Sequence, residues 1–192
     1  MTKNRNLINN THYNFKLRKT PSILIGIYII LGSFLIQTVI EGFHTDASPF
    51  GFLTVNYFEG VVFIISLLVF LFSLLALFFG NRRHARKIGI KVWNKNSRKS
   101  FWVLILLISF VYTILIYELR IGEEQFIIPT FLMGYGFILL LVNYSKSKEV
   151  YYLTMTSFAL GFLPLLYPNY GFNSLFIFGV AHFILGLNDK PS

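Results

Sequence analysis

The sequence predicts an all-α integral membrane protein: a six-transmembrane-helix bundle with cytoplasmic N- and C-termini, short loops and one basic cytoplasmic loop. Three observations carry this. Of 192 residues, 55% are hydrophobic and only 13% charged, with a mean hydropathy of +0.62. A soluble domain carries about 25% charged residues, and a chain this short has too little interior to hide so much Leu, Ile and Phe. The apolar residues fall into six runs of near membrane-spanning length. The basic residues collect between those runs on one side.

Residues 1–21 are polar and basic, without apolar periodicity, and read as a cytoplasmic tail. The first span, 22–40 (SILIGIYIILGSFLIQTVI), covers most of a ~30 Å hydrocarbon core at about 1.5 Å per residue. A signal peptide has a shorter apolar core and a small-residue cleavage site, so this run is an uncleaved helix. Span 60–80 is unbroken, and span 101–117 nearly so. Span 126–142 carries Pro129 in its first turn, where a helix tolerates it. Span 150–167 is the least apolar, with Thr154, Thr156, Ser157 and Pro164. Span 170–187 completes the six, and only Pro168 and Asn169 separate it from its predecessor, which requires a tight hairpin.

Orientation follows from Lys and Arg. With the N-terminus inside, segments 1–21, 81–100, 143–149 and 188–192 hold five, eight, two and one of them, sixteen of the seventeen. Arg120 alone falls outside. Six of the eight acids, Glu41, Asp46, Glu59, Glu118, Glu123 and Glu124, lie at the outer ends. This places a single membrane domain, 22–187, in the cell membrane as a multi-pass protein, with 188–192 as a cytoplasmic tail. No internal repeat is visible.

The loop 81–100 carries Arg82, Arg83, Arg86, Lys87, Lys91, Lys95, Arg98 and Lys99 without an acid. Together with Trp93 and the alternating Ile88, Ile90 and Val92 it suits a surface of anionic inner-leaflet lipids, each cation adding roughly 1 kcal/mol. The plainer role is to fix topology. No aromatic platform or fold motif supports nucleic acid, and none is expected as a partner; a homo-oligomer or a membrane-protein partner is compatible with the sequence.

Candidate sites are sparse. With no Cys, disulfides, thiolate metal sites and thiol nucleophiles are excluded. Glu41, His44 and Asp46 cluster within six residues, a ligand set that suits a divalent cation, although such a loop is more simply solvated. On the last helix Gly179, His182 and Gly186 share a face. Thr154, Ser157, Gly161 and Pro164 form a similar stripe on the fifth, and the hairpin predicts that the two stripes meet, with a hydroxyl satisfying the imidazole. That is a packing role. An ionisable residue inside a membrane is otherwise a functional site by default; packing is favoured because no intramembrane acid or second histidine completes a relay. A second polar stripe, Gly26, Ser33, Gln37 and Glu41, runs down the first helix. With Ser109, Tyr112, Thr113 and Glu118 of the third it would line an outer vestibule, or serve as ordinary interhelical glue.

Glu123-Glu124, followed by Phe178-x-x-x-His182, partly resembles the Glu-Glu-x-x-x-Arg and Phe-x-x-x-His motifs of the intramembrane CAAX-type proteases. The match stops at Ile128, where that family has Arg. The glutamates also lie at the outer surface and His182 in the inner third, so the chain is not assigned to the family. Nucleotide, zincin and serine-hydrolase fingerprints are absent. The expectation is a membrane protein without evident catalytic machinery or cofactor, binding or transporting a small ligand through a polar interior. Second comes an accessory or immunity-type protein acting through partners, and third an intramembrane enzyme using His182.

Overall fold

The computed structural model describes residues 17, 19–44, 55–87, 95–142 and 148–188. They form six α-helices: α1 Lys19–His44, α2 Val55–Lys87, α3 Lys95–Arg120, α4 Glu124–Val142, α5 Lys148–Leu166 and α6 Gly171–Asn188. No strand occurs among the described residues. Four helices are long and apolar enough to cross a membrane: α1 over Lys19–Gly42, α2 over Gly60–Lys87, α3 over Arg98–Arg120, and α6 with the turn before it over Pro168–Asn188. The apolar stretches of α4 and α5, Gln125–Leu141 and Val150–Leu166, are shorter.

The helices overrun the apolar runs for local reasons. α2 continues through Asn81–Lys87, where Arg, Ala and Lys are good helix formers and His84, Arg86 and Lys87 complement the negative end of the dipole. α3 starts at Lys95. The basic segment is therefore helical at both ends, and residues 88–94, with Lys91 and Trp93, lie outside the described residues. α3 stops at Gly122, whose φ of 79° is open to glycine without cost. The N–H groups of Gly122 and Glu123 donate to the carbonyls of Leu119 and Glu118, the paired bonds of a Schellman cap. α4 starts at once. α5 and α6 are joined by a single 3-10 turn, Pro168–Tyr170.

Packing places α6 at the centre. It lies against α1, α4 and α5, while α2 packs on α1 and α3 on α4. The main apolar core is Ile25 and Ile29 of α1, Leu132 and Leu139 of α4, Val150 and Leu153 of α5, and Phe178 of α6. The first and last helices make the closest approach in the bundle, and glycine permits it. A Cβ at Gly26 would stand 2.6 Å from the Gly179 carbonyl oxygen and 2.8 Å from the Phe183 nitrogen. One at Gly186 would stand 2.7 Å from the Lys19 carbonyl oxygen. Lipid tails are as apolar as Leu, so helices in a bilayer associate through such close backbone contact and through buried polar bonds. α2 and α3 lie at the periphery, where Ile64, Leu68, Phe72, Trp102, Leu106 and Phe110 are exposed. Tyr112 ties these two helices together: its hydroxyl donates to the Phe63 carbonyl at 2.9 Å and lies 2.8 Å from Ser66 Oγ.

Candidate functional site

α6 buries one stripe: Gly171, Ser174, Phe178, Gly179, His182 and Gly186. Ser174, Phe178 and His182 repeat every four residues, so they stack along one face, and all three are fully buried. The Tyr135 ring of α4 meets Phe178 and His182 nearly at right angles, with centroids 5.1 and 5.4 Å away. Phe178 meets the imidazole in the same way at 5.0 Å. Edge-to-face contacts of this kind fix ring orientation, so His182 is held between two aromatic rings and the backbone of α1.

On the α1 side, Ser22 completes the site. Its hydroxyl donates to the His182 carbonyl at 2.8 Å, and the same oxygen lies 3.4 Å from His182 Nδ1. Ser22 is itself fully buried. The other ring nitrogen, Nε2, is buried with no hydrogen-bond partner. Among the described residues, three buried side-chain atoms share that condition: His182 Nε2, Ser174 Oγ and Glu118 Oε2. Two of the three belong to the buried stripe of α6. Buried polar atoms are otherwise paired almost without exception, and an unpaired one costs about 1–3 kcal/mol.

The hairpin expectation set the glycine–histidine face against α5. It faces α1 instead, because Gly26 gives Gly179 a partner equally free of side chain. The α5 stripe turns to α4: Ser157 Oγ donates to the Leu132 carbonyl at 2.6 Å, and Gly161 lies against Leu132 and Met133. Thr154 bonds within its own helix, to the Val150 carbonyl at 2.9 Å. Neither hydroxyl serves the imidazole.

The polar groups read as either the lining of an outer vestibule or interhelical glue go to separate contacts. Gln37 Nε2 donates to Glu41 Oε1 at 2.7 Å along α1. Tyr112 bonds to α2, as described above. Thr130 of α4 donates to Glu118 Oε1 at 2.6 Å. Ser33 and Thr113 bond to carbonyls of their own helices. Asp46 and the side chain of His44 lie outside the described residues, as does the side chain of Lys95. Among the described residues no group of three or more His, Asp or Glu is placed to hold a metal. Arg82, Arg83, Arg86, Lys87, Arg98 and Lys99 are exposed on the ends of α2 and α3.

Two members of the site, Ser22 and Tyr135, are absent from the sequence reading. Ser22 had a signal. The stripe Gly26–Ser33–Gln37–Glu41, extended one turn toward the N-terminus, lands on Ser22. Tyr135 had none, since its neighbours are set by how α4 packs on α6.

Among the described residues the fold and site define an all-helical protein with four helices long and apolar enough to cross a membrane, in which α1 and α6 close around a buried histidine. No family model matches the chain, and no curated protein or solved structure matches it either.

Proposed function

We propose that the chain is a six-span protein of the cell membrane, with both termini cytoplasmic, and that it binds or transports a small ligand in its polar interior at His182. The observation that carries the ligand reading is the fully buried imidazole whose Nε2 has no partner. A polar atom left unpaired at such depth is accounted for by a ligand or an ordered water. Ser174 Oγ, unpartnered on the same face, offers a second polar station about 12 Å nearer the outer end by helical rise.

The six-span reading rests on charge and on aromatic belts. Trp and Tyr collect at membrane interfaces. Exposed Trp102 and Tyr117 lie near the two ends of the apolar part of α3, and exposed Tyr152 lies near the start of α5 with exposed Tyr167 just beyond its end. Each pair is fifteen residues apart, which is about 22 Å at helical rise, although α3 has 26 residues and α5 has 19. An equal spacing on helices of unequal length supports full crossing by α5. A 17-residue apolar core lies at about the lower limit for a span. In this orientation the exposed cations of α2 and α3 meet the anionic inner leaflet.

Native mass spectrometry in a mild detergent tests the ligand. Wild-type protein is expected to carry a discrete non-lipid mass that His182→Ala lacks. A bare chain or bare homo-oligomer in both would overturn the binding reading.

A further inference from the structure

We infer that Ser22 is a positioning residue that fixes the tautomer of His182, leaving Nε2 as a bare acceptor, so that the site takes a hydrogen-bond donor. A serine hydroxyl has one hydrogen, and that of Ser22 goes to the His182 carbonyl at 2.8 Å. What Ser22 Oγ turns toward the ring at 3.4 Å is therefore a lone pair. A bare Nδ1 would set two lone pairs against each other. Protonated Nδ1 instead donates to the oxygen, through a long contact.

The side chains against the ring, Ser22, Tyr135 and Phe178, offer no charge to pair with an imidazolium, so the ring carries a single proton. With that proton on Nδ1, Nε2 has a lone pair and no hydrogen. It is this nitrogen that lies buried without a partner. A water, alcohol, amide or ammonium group satisfies it. A carboxylate or a fully ionised phosphate does not, because its lone pairs would oppose that of the nitrogen. The choice of ligand class rests on the ligand-binding reading above; the tautomer does not.

The α1–α6 contact makes the arrangement rigid. Gly26, one turn from Ser22, meets the Gly179 carbonyl and the Phe183 nitrogen at backbone distance. The backbone of Ser22 is thereby fixed beside α6, and the bond to the His182 carbonyl holds its Oγ toward the ring. A second contact of this kind on the inner side of Ser22, between Gly186 and Lys19, brackets it.

Nitrogen-15 spectra of histidine-labelled protein read the tautomer directly, with His182→Gln assigning the signal among the four histidines. Wild-type protein is expected to show a protonated Nδ1 and an unprotonated Nε2. Ser22→Thr, which keeps the hydroxyl, is expected to retain that pattern, and Ser22→Ala to lose it as the proton redistributes between the nitrogens. A protonated Nε2 in the wild type overturns the inference, whatever the variants do. An unchanged pattern in Ser22→Ala overturns the role of Ser22. Bound mass is read separately: a wrong tautomer with a bound species present leaves the ligand-binding reading intact, and a correct tautomer on a bare chain removes only that reading.

Discussion

Gly26→Leu is expected to abolish the folded bundle, and Gly26→Ala to cost about 3 kcal/mol, the upper end of the usual range for overpacking. The obstacle is backbone. An added Cβ meets the Gly179 carbonyl oxygen at 2.6 Å and the Phe183 nitrogen at 2.8 Å, and neither atom moves unless α1 and α6 separate. Separation would also break the bond from Ser22 to the His182 carbonyl. Gly60 is the control, because a Cβ there has no described atom of another helix within 4 Å, and Gly60→Ala is expected to leave stability unchanged. Thermal unfolding in detergent, followed by loss of the monodisperse chromatographic peak, measures both. Equal stability of Gly26→Leu and wild type would contradict the α1–α6 contact.

Phe178→Ala has the next largest effect. The side chain is fully buried and touches the Tyr135 and His182 rings. Removing a buried Phe costs about 3–5 kcal/mol. The lower figure applies here, because in lipid the loss is packing rather than transfer from water. Phe176, two residues earlier, is 50% exposed and points away from the site. Phe176→Ala is expected to fall within about 0.5 kcal/mol of wild type, as surface substitutions do. Reversible unfolding in mixed detergent gives both numbers. If the two variants were equally destabilised, the buried stripe of α6 would be assigned to the wrong face.

The helices were legible in the sequence because each is built on a long apolar run set off by polar residues. Their pairing was not. Periodicity shows which residues of α6 share a face, but not which helix that face meets. The short connection from α5 suggested the adjacent helix, and the match between Gly26 and Gly179 decided otherwise. In water, apolar area would help to rank the alternatives. In lipid, small residues and single polar bonds rank them, and those signals are short and non-local. Gln37, Glu41, Tyr112 and Glu118 show the same limit. Each was correctly seen as polar within an apolar helix, yet each bonds to its own neighbour: Gln37 and Glu41 to one another, Tyr112 to α2, Glu118 to α4. His182 was legible as the buried ionisable group, and half of what holds it, Tyr135, left no pattern to read.

Whether α5 crosses the membrane sets the depth of α6 and the side to which each polar atom lies nearer. The chain has no cysteine, so single cysteines at positions 146 and 169, on either side of α5, can be labelled with a membrane-impermeant maleimide in vesicles of known orientation. The account predicts that Lys146→Cys is labelled only from the cytoplasmic face and Asn169→Cys only from the outer face. Labelling of both from the same face would contradict it.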